Sequence, residues 1–138
     1  MYRLLLALSL TACGTPEVPA WDIPPELVAD TLEYMELTGA RPIPLVIAYA
    51  SLPEGFNGLC TVLGSSGEVR LAPELRDIGP WQQKSVLFHE LTHCLYADPT
   101  HSDDPNALMY PEALPVGDEA EAYWEANLAR LTLEAVGS

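Results

Sequence analysis

From Gly79-Pro80-Trp81 to about Tyr96 the chain reads as one long helix, and its composition dictates what surrounds it. Val86, Leu87, Phe88, Leu91, Cys94 and Leu95 make it apolar over a wide arc, so it must be covered from more than one side. A chain of 138 residues has room for one domain with a modest core, and this helix should be largely buried in it. Yet the helix also carries His89, Glu90 and His93, and polar groups taken out of water need partners. Residues four apart share a helix face, with β-carbons about 5–6 Å apart, so both imidazoles can reach one small cation. Glu90 is rotated off that line but stays close enough to touch a water beside the cation.

The segments around this helix are short. Pro24-Pro25 precedes Glu26 to Leu37, where Leu27, Val28, Thr31, Leu32 and Met35 recur at helical spacing before Gly39. Residues 44–49 and 59–63 are β-prone runs, and 68–72 alternates polar and apolar. Gly64-Ser65-Ser66-Gly67 between the last two suggests a hairpin. After a polar loop from Ala97 to Asn106, a final helix begins at Asp118, with Glu121 completing a capping-box-like pair. Ala120, Tyr123, Trp124, Asn127, Leu128 and Leu131 mark its inward stripe. The expected fold class is therefore α+β: an N-terminal helix, a small three-stranded mixed sheet, the central helix, a turn and a C-terminal helix.

Charge excludes some functions. Six Lys and Arg against 20 Asp and Glu give a net charge of −14, which removes the basic footprint that nucleic-acid binding requires. The same charge disfavours adsorption to anionic lipid. No apolar run approaches the roughly 20 residues of a spanning helix.

Met1 to Ala12 has one basic residue, Arg3, then an apolar core and small residues, the pattern of an export signal. Its end, Leu10-Thr11-Ala12-Cys13, resembles the lipobox of bacterial lipoproteins. That resemblance implies cleavage before Cys13 and lipidation of it, with residues 1–12 a signal peptide and 13–22 a tether. The protein is then expected outside the cytoplasm, touching a bacterial membrane only through the lipid. Cys60 and Cys94 remain, an even pair in an oxidising compartment; a disulfide is the economical expectation, and two buried free thiols the other.

His89-Glu90-Leu91-Thr92-His93 is the H-E-x-x-H pattern of zinc peptidases, with two histidine ligands and a glutamate as general base. A catalytic zinc takes a third protein ligand. The remaining histidine is His101, in a polar loop that Pro99 frees from the helix. A carboxylate on the last helix, Glu119 or Glu121, is the gluzincin-like alternative.

His101 through Pro111, ending Ala107-Leu108-Met109-Tyr110-Pro111, resembles the stretch between the third zinc histidine and the Met-turn of metzincins, matrixins especially. His101 stands twelve residues after His89 rather than the family's ten, and a two-residue insertion restores the register. The resemblance implies a zincin-like domain over 23–138, one Zn2+ held by His89, His93 and His101, and Met109 as an apolar floor beneath the imidazoles. It also implies a metalloendopeptidase acting on protein or peptide, with Glu90 activating water; a monomer is expected. The competing expectation is a surface lipoprotein in which zinc only stabilises a binding module.

Overall fold

A computed structural model of the chain describes residues 20–96, 99–104, 108–109, 121–122 and 124–126. The signal peptide, Cys13, Glu119 and Tyr110 lie outside the described residues.

The architecture is α+β, with one mixed four-stranded sheet and helices packed on it. Helix α1, Pro25–Thr38, starts on proline and stops at Gly39, whose φ of 65° is the left-handed conformation that glycine adopts without a Cβ penalty. Strands β2 (Leu45–Tyr49), β3 (Gly58–Leu63) and β4 (Ser66–Leu71) match the three expected runs. A fourth strand, β1, pairs Trp21–Asp22 with Leu45–Val46 in parallel. The sheet therefore has four strands rather than three, and residues 21–22, expected in the tether, belong to it. Two residues are too few to show a period, and the Trp21 indole N–H donating to the Ile43 carbonyl (3.0 Å) helps hold them there.

The strand order is β1-β2-β4-β3. β2 runs parallel to β4, while β3 and β4 form the expected antiparallel hairpin, from Gly58 opposite Leu71 to Leu63 opposite Ser66. One face alternates inward along every strand: Leu45 and Ile47 on β2, Val69 and Leu71 on β4, Gly58 and Cys60 on β3. A short helix, α2 (Leu75–Ile78), leads into α3, Pro80–Tyr96.

Helix α3 lies beneath β3 and β4 and against α1 and α2. Leu87, Phe88 and Leu91 are fully buried, as the apolar arc requires. Phe88 meets Tyr34 of α1 edge-on (ring centroids 5.1 Å apart) and Trp124 on its other side (4.9 Å). Residues 121–122 and 124–126 are helical, in the span of the expected last helix, and Trp124 is buried. The Tyr34 hydroxyl donates to Thr92 Oγ1, whose own proton goes to the Phe88 carbonyl, so α1 and α3 are pinned by polar as well as apolar contacts.

Candidate metal centre

Helix geometry brings His89 and His93 together as their spacing requires: their ring centroids are 4.7 Å apart and their Nε2 atoms 3.1 Å. The chain beyond α3 returns so that His101 Nε2 also lies 3.1 Å from His93 Nε2. The three ligand nitrogens all fall within 4.8 Å of one another. His89 is buried, His93 half-buried and His101 exposed, so the cluster opens from the core towards solvent.

Two main-chain carbonyls shape the far side. The Leu108 carbonyl accepts a hydrogen bond from His89 Nδ1 (2.9 Å), which assigns the ring proton to Nδ1 and leaves Nε2 with a bare lone pair aimed into the cluster. Leu108 and Met109 form a turn, and the Met109 carbonyl accepts from the Ser102 amide (2.9 Å), tying the residue after His101 to that turn. Neither carbonyl carries a signal in the sequence beyond lying inside the Met-turn resemblance.

The donor set fits a zinc-sized cation. Zn–N bonds of about 2.0–2.1 Å at a tetrahedral angle separate two ligand nitrogens by roughly 3.3 Å, close to the 3.1 Å contacts. In a neutral ring one nitrogen donates and the other accepts, so a single Nε2 proton on His93 can satisfy only one of its two neighbours. A cation at the convergence resolves all three lone pairs together. Both described cysteines are consumed by the Cys60–Cys94 disulfide, which removes thiolate from the candidate ligands. Glu121 is exposed and is not in the group; among the described residues the group is His89, His93 and His101.

Glu90, one residue along from His89, points from the helix towards β3. It is 7% exposed, and burial pushes its carboxyl up to about 7 from the usual 4.5, against the lowering effect of His93 and of a hydrogen bond donated by the Cys60 backbone amide. Burial likewise holds the His89 ring down at about 4, with the Leu108 bond working the other way. Gly58 supplies the space beside Glu90: a Cβ there would come within 2.6 Å of Glu90 Cγ and 2.8 Å of its Oε1. Sequence reading missed Gly58, which looks like an ordinary residue ahead of a β-prone run.

Comparison with protein-family models, characterised proteins and solved structures gives no match for this chain. Its chemistry therefore has to be read from the residues.

Proposed function

We propose that the chain is a zinc-dependent endopeptidase with a minimal zincin-like, metzincin-type domain. One observation carries the reading: three convergent imidazoles stand beside a buried carboxylate that touches strand β3. A purely structural zinc site is closed by four protein ligands, often thiolates, and has no use for an adjacent buried carboxylate.

His89, His93 and His101 would hold the ion. Zinc, when bound, supplies Lewis acidity towards a peptide carbonyl and towards water. Glu90 takes a proton from the attacking water and delivers it to the departing amine, a task suited to a buried carboxylate held beside the three imidazoles. Leu108 keeps His89 in the tautomer that presents Nε2. Met109, in the adjoining turn, supplies the apolar floor. Strand β3 is bonded to β4 on one side and lies at the end of the strand order, so an extended peptide can add to its other side. Phe56, Val62 and Leu63 lie exposed at or next to that strand and would meet apolar side chains of the substrate.

The lipobox-like Leu10-Thr11-Ala12-Cys13 supports a lipid anchor that would hold this activity on the periplasmic or cell-surface face of a bacterial membrane. The Cys60–Cys94 disulfide supports an oxidising location. No helix of the described residues is long and apolar enough to cross a membrane.

The deciding experiment is cleavage of an unstructured protein by the zinc-loaded chain. Cleavage should stop with a chelator, return with zinc and be absent in Glu90→Gln protein that retains the metal. X-ray absorption showing four protein donors on zinc, with no cleavage, would establish the stabilised binding module instead.

A further inference from the structure

Edge strands are held by hydrogen bonds on one side only, so their distance from a helix beneath them is not fixed by the sheet alone. In this protein β3 is such a strand, and it packs directly on the face of α3 that carries Val86, Glu90 and Cys94, residues spaced at four. Opposite them, Gly58 and Cys60 point inward from β3. Gly58 meets Glu90 and Val86 so closely that a Cβ would fall within 2.6 Å of Glu90 Cγ and 2.9 Å of Val86 Cγ1. Cys60 holds α3 twice: its backbone amide donates to the Glu90 carboxylate, and its sulfur is bonded to Cys94, one turn beyond Glu90 and next to His93. The two Cα atoms are 5.6 Å apart.

Resting on the peptidase reading, we infer that Cys60 and Gly58 are positioning residues for the general base, with the Cys60–Cys94 disulfide as the clamp that keeps β3 against Glu90. The amide fixes where the carboxylate points, and the missing Cβ at Gly58 opens the space that the carboxylate occupies. The disulfide prevents the edge strand from lifting when a peptide adds to its free side. Without the clamp β3 stays paired to β4, and the three imidazoles, set by α3 and the Leu108 turn, stay where they are. What changes is the freedom of Glu90.

Three measurements on the zinc-loaded full chain test this. The double variant Cys60→Ser/Cys94→Ser should keep zinc affinity and KM within about threefold while kcat falls about 10- to 100-fold, the cost expected of a misplaced reacting group. An unchanged kcat, or a loss of zinc affinity that tracks the loss of kcat, overturns the inference. Should that variant not fold, Gly58→Ala in the disulfide-bonded chain should give the same split, because its Cβ displaces the Glu90 side chain; unchanged kcat there overturns it equally. Independently of turnover, nitrogen-15 NMR of wild type and Glu90→Gln should show the Cys60 amide resonance moving most among the β3 amides. A Cys60 amide that does not move overturns the inference whatever the activity. A Cys60 amide that moves in a chain whose wild type cleaves nothing supports the coupling and counts against the peptidase reading alone.

Discussion

The His89 ring is oriented by a main-chain oxygen nineteen residues later in the sequence: its Nδ1 donates to the Leu108 carbonyl at 2.9 Å. The turn that supplies this carbonyl also fixes the residue after His101, through the Ser102 amide and the Met109 carbonyl. Two of the three clustered rings are thus referenced to one turn, and His93 is carried by α3.

His101→Ala should therefore weaken zinc binding by at least about 100-fold, since a ligand contributes more than the outer partners whose loss costs 10- to 100-fold. Glu121→Gln, on an exposed carboxylate outside the cluster, should leave affinity unchanged. Competition titration against a chelator of known affinity checks both. Reversal of the two results would transfer the third ligand to the carboxylate.

Glu90→Gln retains the shape of the side chain and removes its ability to accept a proton. Zinc content should be unaffected and kcat should drop about 100- to 10,000-fold, the range of general-base catalysis. Metal analysis alongside steady-state kinetics measures the two separately, and near-normal turnover would remove Glu90 from the mechanism.

In the metal-free protein, His89 and Glu90 pull stability in opposite directions with pH. The depressed His89 pKa of about 4 contributes stability that is complete above 6.5 and lost as pH falls towards 4. The raised Glu90 pKa of about 7 contributes stability that is complete below 4.5 and lost as pH rises towards 7. Between these limits the two largely offset each other. Metal-free Glu90→Gln should unmask the histidine: relative to wild type, it should lose about 3 kcal/mol more on acidification from pH 6.5 to 4. Urea unfolding at a series of pH values, with chelator present, reads the difference.

Lys84 links α3 to α1, paired with Asp30 (3.6 Å) and Glu33 while its side chain is only 15% exposed. Lys84→Met should cost about 1–3 kcal/mol at pH 7, because it leaves two carboxylates facing each other at a partly buried joint. Asp30 already titrates above its ordinary value through burial, against the lowering effect of Lys84. Part of the loss should therefore be recovered on acidification, as Asp30 takes up a proton. Thermal melts at pH 7 and in acid provide the check.

What was legible in the sequence is what depends on local chemistry. Prolines and Gly39 mark the ends of α1, alternation and turn residues mark β4 and its hairpin, and the apolar arc marks α3. The disulfide follows from cysteine parity once an exported chain is assumed, and the structure contains it. The three histidines meet as their spacing and the loop chemistry suggest. Illegible were features made by long-range contact. Trp21–Asp22 becomes a strand only because β2 offers a free edge, and Leu75–Ile78 is a single helical turn with too little sequence to show a period. Gly58 matters only because Glu90 lies across from it, and the roles of Leu108 and Cys60 reside in main-chain atoms that no side-chain pattern encodes.

The bond between Ser102 and Met109 also bears on how this centre tolerates changes in chain length. It anchors the exposed His101 from its C-terminal side, so the register of this histidine is counted backwards from the turn rather than forwards from α3. Residues added or removed between Tyr96 and His101 alter only the path of approach. The same changes between Ser102 and Met109 would carry the ring away from its two companions. The twelve-residue interval from His89 to His101 thus carries its spare length on the forgiving side of the anchor.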